Sequence, residues 1–230
     1  YPYGVDAVTL LALRMGLSLP FFLALGWADR RRRQPVPLTG RDWGLMLGLG
    51  VTGYYLASYL DFLGLQYISA ALERLILFAY PTLVVLFSAL FLGKPITRRA
   101  AGSIALCYAG IALAVAHDLD LGGDAHEVWL GGALVFGSAV SYALYLMGNG
   151  QAVGRLGAAR VTAAASTIAC VLCLVHFAAT RPLGLLVQPA PVMGLAVAMA
   201  LFSTVLPVWM VSEAIRRLGA GPVSLIGTLG

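Results

Sequence analysis

Long apolar runs separated by short polar linkers dominate the pattern of this chain. The runs cover residues 5–27, 43–64, 71–92, 98–116, 129–151, 161–179 and 191–215, and another begins at 220 and is still apolar at Gly230. Spanning the hydrocarbon of a bilayer takes about 20 mostly apolar residues per helix. In that medium every backbone N–H and C=O needs a partner within the protein, which a helix supplies locally. The pattern therefore predicts an all-α integral membrane protein, with seven complete transmembrane helices and the start of an eighth. There is no initiator Met and the last residues are apolar, so the sequence reads as a piece cut at both ends.

The linkers are short, which makes consecutive helices antiparallel neighbours, and they hold most of the charge. They read ADRRRRQPVPLTGRD, LGKPITRR, HDLDLGGDAHE, GRLGAAR, TRPLGLLVQPA and IRRLGAG. Alternate linkers differ in sign. Arg30 to Arg33, Arg41, Lys94, Arg98, Arg99, Arg155, Arg160, Arg216 and Arg217 share one side, whereas the other side holds Arg181 and the acidic 117–127 segment. Loops rich in Lys and Arg stay in the cytoplasm, so the basic side is expected there, in the inner membrane of the cell. Composition agrees: 60% of residues are hydrophobic and 11% charged, against roughly 45–50% and 25% in soluble domains. The net charge of +5 sits in topology-setting loops, so the expected surroundings are a lipid bilayer and not nucleic acid. Cys107, Cys170 and Cys173 all lie in apolar runs, and the CxxC spacing of the last two has no second pair, so they read as small core residues.

A shift of 150 residues lays Trp43–Tyr80 on Met193–Gly230 without a gap. Gly44, Leu45, Leu56, Ala70, Leu75 and Ile76 then meet Gly194, Leu195, Leu206, Ala220, Leu225 and Ile226. By the charge rule one copy enters from inside and the other from outside. An inverted repeat of this kind is a transporter architecture.

The stretch GLQYISAALERLILFAYPTLVVLFSALFLGKPITRRAAGSIALCYAGIALAVA, residues 64–116, resembles EamA-type members of the drug/metabolite transporter superfamily. The resemblance rests on a helix start of small residues (Ser69, Ala70, Ala71), a mid-helix Pro81, a Leu-Gly turn and a last helix opening on Gly102. Arg14 in VTLLALRMGL matches a common family position, and RRLGAGPVSLIGTLG is similar to the same helix start in the second half. One departure is Lys94, where the family usually carries Glu. The resemblance implies ten helices in two inverted five-helix repeats, of which this chain holds helices two to eight and part of nine. It implies a first repeat at 1–116 lacking its first helix, an external linker at 117–127, and a second repeat at 128–230 cut within its fourth helix. It also implies secondary transport of small organic metabolites (amino-acid-like compounds, drugs or related solutes), commonly efflux, through a central cavity.

Several residues are candidates for that work. Arg14 lies midway along its run, where a charge costs roughly 2.5–3.5 kcal/mol on insertion scales and so faces a protein interior. It either lines a cavity, binding an anionic group of the substrate or a counter-acid, or makes a structural ion pair. Asp61, Glu73 and Arg74 flank a tight turn and form either an interfacial ion pair or an outer gate with proton-linked acids. Tyr55, Tyr80, Tyr142 and Ser138 are candidate cavity residues, because hydroxyls within spans need partners or water. Pro81 and Pro207, like Pro20, remove a helical hydrogen bond and are expected to kink their spans. Gly44 and Gly48 are expected to allow close helix approach. Glu213 is read as an ion pair with Arg216 and Arg217 at helical spacing.

No phosphate loop, HExxH or Gly-x-Ser-Gly occurs, so neither ATP-driven transport nor intramembrane proteolysis is indicated. The HDLDLGGDAHE segment lacks the closing acid of a calcium loop, that position being Trp129. No metal or cofactor is expected, and the chain is not read as an enzyme. The expected function is a secondary transporter working by alternating access on a small-molecule substrate, with protons as a candidate coupling ion. The rival readings are a non-transporting polytopic protein, such as a lipid-modifying enzyme or a sensor partner, and an uncoupled facilitator.

Overall fold

A computed structural model describes residues 6–32, 37–93, 95–96, 98–120 and 125–226. Lys94, the centre of the 117–127 linker and the last residues of the expected eighth span lie outside them. The described residues contain helices and no strands. In order these are α1 (Ala7–Arg32), α2 (Gly40–Gly50), a π-helical turn (Val51–Leu56), α3 (Ala57–Gly64), α4 (Ala70–Leu77), α5 (Tyr80–Leu92) and α6 (Arg98–Asp120). Then follow α7 (Ala125–Leu156), α8 (Ala158–Thr180), a short 3₁₀ turn (Leu183–Leu186), α9 (Ala190–Ala198), a second π-helical turn (Met199–Val205), α10 (Leu206–Leu218) and α11 (Ala220–Ile226).

Among the described residues, five helical stretches are long and apolar enough to cross a membrane: Val8–Arg31, Ala70–Leu92, Ala125–Leu156, Ala158–Thr180 and Ala190–Leu218. Two more of the expected spans are helical as well. Residues 40–64 form a helix through its π turn, and α6 carries the shorter apolar segment Ile104–Ala114. The chain is thus an all-α, multi-pass membrane protein. Its helices outrun the apolar runs: α7 has 32 residues. Hydropathy marks the hydrocarbon, whereas a helix continues until its backbone groups meet a cap or a turn.

Caps are visible at several starts. Asp6 accepts from the Thr9 backbone N–H and hydroxyl, both at 2.9 Å, and pairs with Arg181 at 3.3 Å. Burial opposes the charge on Asp6, but these contacts outweigh it and hold the carboxyl below its ordinary range. Thr39 and Asp42 form a capping box on α2, and buried Asp42 also pairs with Arg155 of α7. Ser69 accepts from the Leu72 N–H at 3.2 Å and opens α4. The Leu-Gly turn closes α5 because Gly93 takes a left-handed conformation, φ 64°, that only glycine adopts freely.

The described chain divides into two compact units, Tyr1–Tyr55 with Gly148–Gly219, and Leu56–Met147 with Ala220–Gly230. In the first, α1 packs along α8, with Met15, Phe22, Val161, Ala169 and Phe177 buried. In the second, Ile68, Leu72, Ile76, Val128 and Val135 form a buried cluster against Leu77, Ile111 and Ala114.

The departures from α geometry follow the repeat. A shift of 150 residues carries Gly40 and Ala70, the first residues of α2 and α4, to Ala190 and Ala220, which begin α9 and α11. It carries Val51–Leu56 onto residues 201–206, overlapping the second π turn. Pro207 follows that turn and Pro81 stands at the start of α5. Pro81 therefore breaks its span into α4 and α5 at Phe78–Ala79, a larger departure than the expected kink, while Pro20 lies inside an unbroken α1. Pro has no N–H to continue the ladder, so the preceding turn loses a hydrogen bond.

Glycines make close approaches, but not where expected. Gly44 and Gly48 meet nothing within 4 Å among the described residues. A Cβ on Gly50 would instead come 2.8 Å from the Ala165 carbonyl oxygen and 2.8 Å from Ile168, both on α8. In the second unit Gly64 and Gly131 play this part, against Val135 and against Tyr67 and Ile68. Gly50→Ala is expected to destabilise the protein by about 1–3 kcal/mol through overpacking, and Gly44→Ala to leave stability unchanged. Thermal unfolding in mild detergent checks this; equal melting of the two variants contradicts the packing.

Candidate functional site

Each unit holds polar groups within apolar helices. In the first, Arg14 lies on α1 with its Nε sealed from solvent. Its guanidinium is within electrostatic reach of the Cys170 and Cys173 thiols on α8. Cys170 Sγ also lies 4.0 Å from Met15 Sδ. One turn beyond Arg14, the Ser18 hydroxyl donates to the Arg14 carbonyl at 2.7 Å and approaches the Ala200 carbonyl in the second π turn at 3.4 Å. Tyr55, in the first π turn, meets His176 of α8, its hydroxyl 3.1 Å from Nδ1.

Further along α8 the hydroxyls of Thr162 and Ser166, one turn apart, are enclosed and have no hydrogen-bond partner among the described residues. Such groups call for a water or a ligand atom, since a dry unpaired hydroxyl is costly. The Asn149 side-chain amide donates to the Ser212 hydroxyl at 3.3 Å, both fully buried.

The second unit holds the remaining candidates. Asp61, in α3, and Glu73, in the first turn of α4, lie within electrostatic reach of each other across the turn. Glu73 is 2% exposed. Arg74 Nε stands 3.4 Å from Glu73 Oε2, but its side chain is 74% exposed. All three expected partners meet, with the two acids near each other and the arginine exposed.

The tyrosines also gather. The rings of Tyr80 and Tyr142 meet edge to face at 5.2 Å, and Tyr142 stacks on Tyr145 at 5.8 Å. The Tyr80 hydroxyl donates to the Ser224 carbonyl of α11 at 3.2 Å. Ser138, one turn before Tyr142, donates to the Ala57 carbonyl at 2.8 Å, the carbonyl that follows the first π turn. Glu213 pairs with Arg216 at 2.5 Å and Arg217 at 2.8 Å, the geometry expected from their spacing.

The structure thus places Arg14 and Tyr55 in one unit, and Ser138, Tyr80, Tyr142 and the acid pair in the other. His176, Asn149, Ser212, Thr162 and Ser166 were not singled out from sequence. Thr162 and Ser166 carry a readable signal, two hydroxyls at i and i+4 in an alanine-rich run. His176 does not, because its partner is 121 residues away.

Comparison with known proteins gives this arrangement a context. The EamA-like transporter family matches residues 3–116. An uncharacterised transporter of Bacillus subtilis strain 168, YcbK, is 28% identical over 238 residues, spanning 100% of this chain and 74% of that protein. A crystal structure shares the fold with a TM-score of 0.69 at 21% identity, over 98% of this chain and 75% of that one. The helix start at Ser69, the Pro81 break and the Gly93 turn all lie within the matched region. The matched family and the relative's name both point to a transporter rather than an enzyme. The chain belongs to the EamA-type family of membrane transporters.

Proposed function

We propose that the protein is a secondary transporter that exports small organic metabolites, or related drugs and solutes, across the cytoplasmic membrane by alternating access. Residues 1–116 and 128–230 are two inverted repeats joined by an external linker, and the basic linkers face the cytoplasm. The enclosed carboxyl pair Asp61–Glu73 carries this reading. A proton shared by two neighbouring acids, one of them buried, is a means of coupling a solute to a proton gradient, because the pair gains or loses charge as the proton leaves or returns. The matching helix starts and π turns at a 150-residue shift support paired moving elements.

Arg14 supplies, in this reading, a fixed positive charge for an anionic group of the solute. The hydroxyls of Thr162 and Ser166 are on the neighbouring helix of the same unit and offer further hydrogen bonds. The tyrosine group Tyr80–Tyr142–Tyr145 furnishes aromatic walls.

Two outcomes are expected. When the full-length protein is overexpressed in a bacterial host, one metabolite class accumulates in the medium. Arg14→Gln at equal membrane abundance lowers that export roughly tenfold, the loss of one charged hydrogen bond. Normal export by Arg14→Gln removes the residue from the substrate path. Transport by the parent depends on external pH, and Asp61→Asn and Glu73→Gln each flatten that dependence. A parent profile retained by both variants sinks the coupling role and favours an uncoupled facilitator.

A further inference from the structure

Two cavities in the first unit adjoin and differ sharply in chemistry. One is an apolar groove of about 580 Å³ between α1 and the second π turn with α10, walled by Phe21, Ala24, Phe202 and Leu206. The other is a polar cleft of about 400 Å³ containing Asp29, Glu213 and Arg216. Leu25, Ala28 and Trp209 line both. The groove, with Phe21, Phe202 and Leu206 exposed along it, therefore lies next to the cleft.

The level of the cleft is marked by side chains. Trp209 borders it, and Trp27 is exposed one helical turn from Arg31, whose guanidinium lies 3.8 Å from the Trp27 ring centre. Tryptophan and arginine of this kind collect at the membrane–water interface. An apolar groove beside a charged cleft at that level has the form of one lipid molecule, its acyl chain in the groove and its headgroup in the cleft.

The charges in the cleft select among headgroups. Glu213 is held by both Arg216 and Arg217, so this group carries an excess positive charge. Asp29 also lines the cleft and supplies a negative charge there. A headgroup with a phosphate and an ammonium meets both, the phosphate at the arginines and the ammonium at Asp29. A purely anionic headgroup would leave Asp29 facing negative charge. A free zwitterionic solute would use the cleft but leave the apolar groove empty.

We propose that this groove and cleft hold one zwitterionic aminophospholipid of the leaflet on the basic-loop side, recognised by Asp29 and the Arg216–Glu213–Arg217 group. The site is separate from Arg14 and from the Asp61–Glu73 pair, and it does not depend on what the protein transports.

Native mass spectrometry of the full-length protein, released from nanodiscs of phosphatidylethanolamine or of phosphatidylglycerol with the same acyl chains, tests the assignment. Phosphatidylethanolamine is expected to stay bound in preference to phosphatidylglycerol. Asp29→Asn lowers that preference roughly threefold, the scale of one partly exposed charge pair. Ala24→Trp fills the groove and removes the retained lipid, while unchanged thermal melting shows that the variant is folded. Equal retention of the two lipids overturns the headgroup assignment. Absence of retained lipid, as when another segment of the protein covers the groove, overturns the site. So does an unchanged lipid count in Ala24→Trp.

Discussion

The need to keep every backbone carbonyl hydrogen-bonded in lipid is the constraint on which this structure turns. A helix in lipid can leave α geometry only where something else satisfies the groups it releases. Near the irregular points hydroxyls and a thiol add hydrogen bonds to backbone carbonyls. Thr52 donates to the Gly48 carbonyl at 2.8 Å as the first π turn begins, and Ser138 to the Ala57 carbonyl at 2.8 Å just after it ends. At the Pro81 break, Thr82 donates to Ala79 at 2.7 Å, and the Cys107 thiol lies 3.7 Å from the Phe78 oxygen. At the second π turn, Thr204 and Ser18 approach the Met199 and Ala200 carbonyls, each at 3.4 Å.

This gives small polar residues a structural duty as well as a functional one. Ser138 has the residue type and position of a cavity hydroxyl, yet its hydrogen is committed to Ala57. Thr162 and Ser166 hold uncommitted hydroxyls and are better placed to meet a guest. Among charged groups, Asp42–Arg155 and Asp6–Arg181 tie helix ends, whereas Asp61 and Glu73 bring two acids near each other. Residues of one chemical class thus divide into those committed to holding the helices and those that retain bonding capacity.

The sequence made much of this legible. Apolar runs located the helices because lipid leaves the backbone no alternative, and Ser69, Pro81 and Gly93 marked a start, a break and an end by known local rules. Asp61, Glu73 and Arg74 were expected to meet because a tight turn leaves them little freedom. Which pair would share the buried contact was not legible: both acids sit beside Arg74 in any linear reading, and only the packing leaves the arginine exposed. Tyr55–His176 and Asn149–Ser212 depend on packing between distant segments. The π turn at Val51–Leu56 has no proline to announce it. Gly44 and Gly48 have the spacing of a packing motif but face open space, because the close contact falls at Gly50, two residues on and on another face of the helix.

The two π turns overlap under the 150-residue shift, and with the Phe78–Ala79 break they are the expected places for the spans to yield. Hydrogen–deuterium exchange of the full-length protein in lipid nanodiscs tests that most directly. Amides at 51–56, 78–79 and 199–205 should exchange faster than the unbroken turns of α1 and α8, and Ser138→Ala should speed exchange further around Ala57. Uniformly slow exchange through all these segments, unaltered by Ser138→Ala, would contradict the account.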